Sequence, residues 1–477
     1  MEITTDLPED NNSIEEKKRK TRNLSVLEAG VYSVSDGFGV RNVAPYALAL
    51  NASNSLMGLL TSISSLLGNF SQLITLKLLN RYSRKKVVVY SVLIQSLFWL
   101  ALLIPGIIFL KYTTNSNISV VVLIAVYTSL IISGAISGPA WNSWMKDLVP
   151  SKSVGRYFAM RNRIAGVVSF IFMIIGGLVL DYFKRMEVLY GFFILFIFSF
   201  IARGTSGILF TKHYEPEYKH EKRSYFSFSQ FVSNMLFNNF GRFVLFIALL
   251  NFVVAIASPF FVVYLIKDRL FSYTTYMTTI MASSIATILT MAFWGRFSDK
   301  NGSVKTMKIT MIFIILVPFL YIVSSRILDM KILLILVIFT EVISGIFWGG
   351  FNLSVSNFLF RSVSREKISY CSAYMNILNG IGVFFGATLG GLLGSLNFWN
   401  PLLLIFLISG LGRLTVYILF LPKIRERTEE KYSYHRRGFI SNFMINPRSF
   451  NFMDGMVFSK HRQKERRISE FFNSFKS

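Results

Sequence analysis

Cysteine and histidine are nearly missing from this 477-residue chain, which has one Cys, Cys371, and four His: His213, His220, His435 and His461. The four His fall in what reads as a central loop and a C-terminal tail, so a disulfide framework, a thiolate metal site and a histidine proton relay within the apolar body are excluded. Charge is scarce too: 16% of residues are Asp, Glu, Lys or Arg, against about 25% in soluble domains. There is no catalytic cluster, and no Gly-rich phosphate loop of the GxxxxGK(S/T) kind that an ATP-driven pump would need. The chain is therefore expected not to be an enzyme, and to need neither metal nor cofactor.

Apolar length is what the chain has in abundance. It is 53% hydrophobic, with 47 Phe, and apolar runs long enough to cross a bilayer follow one another. Backbone groups in lipid must be satisfied within the segment, so the runs are helices. Twelve spans are expected, at 24–49, 55–79, 87–110, 119–145, 163–181, 188–211, 243–266, 273–294, 306–326, 332–356, 371–395 and 399–421. The first follows the polar leader "EEKKRKTRN" and is expected to be retained, because no small-residue cleavage site follows a short apolar core.

Sixteen Lys and Arg fall in the four loops on the N-terminal side, and seven fall in the six opposite loops. The basic side faces the cytoplasm, which puts both termini inside a multi-pass protein of the cell membrane. The net charge of +25 comes largely from this bias and from the tail after 421, which has 13 Lys and Arg against 6 Asp and Glu. No nucleic-acid partner is implied. The tail's mixture of Phe and basic residues reads either as a solvated tail or as a segment lying on anionic lipid.

The two halves repeat. Residues 161–181 aligned on 375–395 at an offset of 214 give six identities in 21 positions, among them Gly176 over Gly390 and Gly177 over Gly391. Arg203 falls over Arg413, and Pro45 over Pro259. The expected organisation is an N-terminal tail (1–23), a six-helix bundle (24–211), a linker (212–242), a second six-helix bundle (243–421) and a basic tail (422–477). Two bundles in parallel repeat, with a binding site between them, describe an alternating-access carrier.

The loops supply a resemblance. "GRFSDKNGSVK" (295–305) resembles the loop signature of the major facilitator superfamily, with Gly295, Asp299, Lys300, Gly302 and Lys305 in place. "LKLLNRYSRKK" (76–86) is a degraded copy with Asn80 where the acid belongs, and "GPAWNSWMKDLVPSKSVGRYFAMRNR" (138–163) resembles the region between the fourth and fifth spans of many members. The resemblance implies that Arg84 pairs with Asp147 at the inner end, and Arg84 and Asp299 are expected to serve an inner gate whose ion pairs form in one state and break in the other. By position in the repeat, Arg361 is the expected partner of Asp299. It also implies that spans one, four, seven and ten line a central cavity.

A polar residue present in both halves reads as scaffold, and one present in a single half as a candidate for chemistry. Arg203, Arg413 and the glycine pairs are therefore assigned to packing. Pro45 and Pro259 are expected to bend their helices near Arg41 and Ala255. Asp36 and Arg41 on the first span and Glu341 on the tenth survive this filter, joined by Asn251, Tyr46 and Trp348 as polar or aromatic cavity candidates. Glu28 is weaker, lying near the inner mouth where water reaches. Asp36 and Arg41 project about 140° apart on an ideal helix, so they meet only if Gly37 and Gly39 loosen it. An intramembrane acid is by default a candidate for proton coupling.

The expected function is secondary active transport of a small organic solute, coupled to protons, by a monomer in contact with lipid. A non-transporting receptor or scaffold, or a lipid-handling member of the same fold, is the alternative. "FMIIGG" on the fifth span lacks the Gly-Pro of proton-linked drug antiporters, and Arg41 suits an anionic solute.

Overall fold

A computed structural model describes residues 11–79, 81–111, 116–150, 154–216, 228–363, 368–396 and 400–426. The basic tail from 427 onward, Asn80, His220, His435 and His461 lie outside the described residues. Those described form helices: α1 (Asn11–Phe38), α2 (Val43–Ala49), α3 (Asn54–Leu78), α4 (Arg84–Ala101), α5 (Leu103–Lys111), α6 (Ser116–Leu148), α7 (Val154–Phe183) and α8 (Val188–Thr211). After a short α9 (Phe228–Ser233) come α10 (Asn239–Ala257), α11 (Phe260–Val263), α12 (Tyr273–Asn301), α13 (Ser303–Ser324), α14 (Met330–Ser362), α15 (Ile368–Gly394) and α16 (Pro401–Phe420).

Ten of the twelve expected spans are long and apolar enough to cross a membrane. The two that fall short are the first, α1 with α2, and the second, α3. The first carries Glu28, Asp36 and Arg41 and breaks in the middle, while α3 is rich in Ser, Thr and Asn. Both pack within the bundle all the same, so neighbouring helices shield the polar groups that lower their hydropathy.

The first span breaks for local reasons. α1 ends at Phe38, a 3₁₀ turn covers Val40–Asn42, and α2 resumes at Val43, two residues before Pro45. Asn42 Nδ2 donates to the carbonyls of Gly37 (3.2 Å) and Phe38 (2.9 Å), satisfying groups the break would orphan. Gly39 lies against the Trp99 ring and Gly37 against the α7 backbone, where no side chain would fit. The seventh span behaves likewise. α10 ends at Ala257, Pro259 leads into the single turn of α11, and a wider i→i+5 turn covers Tyr264–Asp268.

The glycine pairs divide between two kinds of contact. Gly176 packs on Phe38 and Asn42 of the first span, and Gly390 packs on Ile256 of the seventh. Gly177 instead meets Thr274 of α12, and Gly391 meets Ser55 of α3, so these two join the halves. Along the α3–α15 seam, Asn54 Nδ2 donates to the Gly394 carbonyl at 2.7 Å and Asn376 Nδ2 to Gln72 Oε1 at 3.1 Å.

The apolar core is distributed unevenly along the membrane normal. Toward the end where α1 finishes and α16 begins, the outer end in the expected orientation, one cluster runs through both halves, from Tyr46, Leu102 and Phe192 to Phe260, Tyr276 and Phe406. Toward the inner end, where α1 begins and α16 finishes, it divides into a cluster around Trp144 and Val88 in the first half and another around Phe243 and Phe358 in the second. The apolar core is shared at one end and divided at the other, where α3 and α15 still touch through Asn376 on Gln72 and Gly380 on Asn69.

Candidate functional site

A cavity of about 260 Å³ lies between the halves, lined by Thr61 of α3, Tyr276 and Thr279 of α12, Tyr321 of α13, Glu341 of α14 and Ser258 at the break of the seventh span. α12 and α14 pack tightly because Gly345 lets the Ser283 backbone close in and Thr287 Oγ1 donates to the Gly345 carbonyl at 2.8 Å. This contact holds Glu341 one turn away. Its Oε1 accepts from the Tyr321 hydroxyl at 2.7 Å, and Ser283 supplies a second hydroxyl. Among the described residues no basic side chain forms an ion pair with Glu341.

Asp36 and Arg41 are brought together by the break in the first span. Arg41 Nε lies 3.9 Å from Asp36 Oδ2, which also accepts from Ser169 Oγ at 2.7 Å. The Arg41 side chain is 43% exposed.

The other cavity candidates lie elsewhere. Tyr46 is fully buried between Phe192 and Phe196, its hydroxyl donating to the Leu102 carbonyl at 3.0 Å. It is a packing residue: the turn at Val40–Asn42 rotates α2 so that Tyr46 points into the first half. Trp348 packs edge-on against Phe351 in the inner cluster of the second half, and Asn251 is half-buried on α10; neither lines the cavity.

Glu28, expected to be wet, is 2% exposed and holds a network together. It pairs with Arg161 at 3.0 Å and accepts from Ser206 at 2.7 Å. Arg203 donates to Ser206 (3.2 Å) and to Gln95 (2.6 Å) and stacks over Tyr32. Arg413, its repeat partner, has no such company. It is 1% exposed, and Nη1 donates to the Ile314 carbonyl at 2.9 Å. Ile314 is four residues before Pro318, inside α13, so Arg413 supplies the hydrogen bond that the proline removes.

At the inner rim Arg84, 1% exposed, meets Asp147 Oδ2 at 2.5 Å and Glu215 at 3.8 Å, and donates to the carbonyls of Ser143 and Pro216. Lys85 Nζ and Trp144 Nε1 donate to the carbonyls of His213 and Tyr214, so the chain leaving α8 straps this rim. Burial holds His213 below the usual histidine value. In the second half Arg361 Nη2 donates to Asp299 Oδ1 at 3.0 Å, with Lys300 exposed beside it. Gly295 faces Leu353 of α14, while Gly302 has φ +89 and turns the chain so that Glu426 accepts from the amides of Ser303 (3.0 Å) and Val304 (2.7 Å). Each of these rim ion pairs stays within one half. At the opposite end Asp181 of α7 reaches across, its carboxylate accepting from the first amides of α12, Tyr273 (2.8 Å) and Thr274 (2.9 Å).

Sequence reasoning missed Tyr276, Tyr321 and Asp181. Only the hydroxyl-rich run "SYTTYMTTIMASS" at the start of α12 could have drawn attention to the first.

The family model described as Major Facilitator Superfamily matches residues 31–387. No curated protein matches the sequence. Among solved structures, a bacterial homologue of the iron transporter ferroportin in its inward-facing state superposes with a TM-score of 0.67 at 11% identity, covering 86% of this chain and 99% of that one. The nucleoside transporter NupG gives 0.60 at 16%, covering 86% and 100%. A bacterial homologue of the human lysosomal transporter Spinster, inward-facing and unoccupied, gives 0.55 at 14%, covering 86% and 95%. At these identities the likeness is one of fold.

Proposed function

The chain belongs to the Major Facilitator Superfamily and is a multi-pass membrane protein with a transporter fold; on that footing we propose that it is a secondary active transporter of a small organic solute, coupled to protons and working by alternating access in the cell membrane, with both termini in the cytoplasm. The observation that carries the proposal is the divided core: one apolar cluster across both halves outside, two separate clusters inside, and an acid-bearing cavity between the halves. Halves whose shared apolar core is confined to one end can rock about that contact, and a solute that binds the two states differently shifts their balance. Glu341 is the proton site in this scheme, since Asp36 is already engaged by Arg41 and Ser169. Arg84–Asp147 and Arg361–Asp299 stiffen each inner rim so that it moves as a body.

The test needs no substrate. With Cys371→Ser as background, Asn54→Cys and Gly394→Cys place thiols on facing residues at the outer end, and Thr61→Cys places one in the cavity. Without the outer bond, the cavity thiol is expected to react with membrane-impermeant reagents from either side. Once the outer pair is oxidised it should react from the cytoplasmic side alone. Labelling that ignores the bond would sink alternating access. In the unlinked protein the outside-to-inside ratio should change with pH, and Glu341→Gln should abolish that change.

A further inference from the structure

We infer that the central cavity binds a small organic cation, a protonated amine carried on an apolar body. The inference names the substrate class of the site proposed above and rests on that reading. It starts from an imbalance in the lining. Among the described residues Glu341 is the one ionisable carboxylate there, and it receives hydrogen bonds from Tyr321 and Ser283, but no counter-charge. Hydroxyl donors hold a carboxylate in place without neutralising it, and a buried charge without a partner is unfavourable. A ligand ammonium supplies what the protein withholds. When it leaves, a proton can take its place, so one group serves both cargo and coupling ion.

The walls suit the rest of such a ligand. Phe261 and Tyr321, tilted against each other with centroids 4.5 Å apart, line the cavity beside the carboxylate, and the buried Phe406 backs Phe261 at 4.8 Å. Aromatic faces attract a cation through the negative charge of the ring face. Pro259, Val262, Leu265 and Ile280 complete an apolar side. A cavity of about 260 Å³ admits a single-ring amine.

The other solute classes fit less well. Among the described residues no Lys, Arg or His lines the cavity, and the nearby Arg41 already faces Asp36 at 3.9 Å, which removes the argument for an anion. A divalent metal wants several carboxylate or imidazole ligands, and no group of three His, Cys, Asp or Glu exists among the described residues. A neutral solute would leave Glu341 as it is.

Three compounds of one shape separate these cases: 2-phenylethylamine, 3-phenylpropionate and 2-phenylethanol, each titrated into the purified full-length protein by calorimetry and thermal unfolding. The amine alone is expected to bind and to raise the melting temperature. Glu341→Gln should weaken it roughly 10- to 100-fold, and Asp299→Asn, at the inner rim away from the cavity lining, should leave it within about threefold. Tyr321→Phe, which keeps the carboxylate, should retain amine binding and serves if Glu341→Gln fails to fold. Binding of the propionate or the alcohol in preference to the amine overturns the assignment, as does an amine affinity unchanged by Glu341→Gln or an amine that does not bind at all. The outer-bond labelling experiment separates the two proposals. A cavity that alternates but refuses the amine keeps the transporter and loses the cation, while amine binding without alternation does the reverse.

Discussion

The two halves are built on one pattern yet treat their buried charges in opposite ways. In the first half Arg203 stands among Gln95, Ser206 and the Tyr32 ring, with Glu28 and Arg161 one step further. In the second, Arg413 reaches a backbone carbonyl and, among the described residues, no carboxylate. The difference traces to single positions. Glu28 at an offset of 214 falls on Arg242, so the acid that completes the first network has been replaced by a base. The cavity acids differ in the same sense, with Asp36 answered by Arg41 and Glu341 answered only by hydroxyls. The inner rims repeat the contrast: the Arg84 guanidinium is buried under the strap from α8, whereas Arg361 and Asp299 are 36% and 24% exposed. A half whose charges are satisfied internally suits a scaffold. A half that leaves an acid waiting suits the binding of something from outside.

The sharpest test of this contrast compares Glu28→Gln with Arg413→Met. Glu28→Gln takes the carboxylate from Arg161 and is expected to cost about 3–5 kcal/mol, as broken buried pairs do. Arg413→Met strands no carboxylate and loses only the cap on the Ile314 carbonyl, about 1–2 kcal/mol, offset by no longer burying a charge. Thermal unfolding of both variants in detergent checks the order, and equal losses would remove the asymmetry.

A middling effect is expected at the seam between the halves. Asp181→Asn replaces a carboxylate that accepts from two α12 amides with a neutral amide, weakening outer closure. The labelling rate of a thiol introduced by Ser55→Cys, on the Cys371→Ser background, should rise roughly tenfold from the outer side. An unchanged rate would mean that the glycine contacts alone hold the seam.

The smallest effect concerns His213. Burial lowers its proton affinity in the folded state, so the unfolded chain binds the proton first and stability rises with pH. Its contribution is complete above about pH 6.5 and is lost as pH falls through the lowered folded value. His213→Gln is expected to flatten the stability slope below about pH 6.5 while changing stability little at pH 8. No change in slope would mean that the strap opens before His213 titrates.

Helix type, span positions and the repeat were legible because each is written in local pattern: apolar runs of bilayer length, basic loops, and glycines at a fixed offset. The breaks at Pro45 and Pro259 were legible for the same reason. Tyr46 was misplaced because a half-turn of 3₁₀ geometry rotates everything after it, and no pattern in the sequence carries that angle. Glu28 was thought wet because depth along a helix says nothing about which neighbours close over it. By itself, then, the sequence determined the architecture and a short set of candidate charges. Only the tertiary structure decided which of those charges are answered and which wait, because a buried charge is settled by groups from other helices, dozens to hundreds of residues away along the chain.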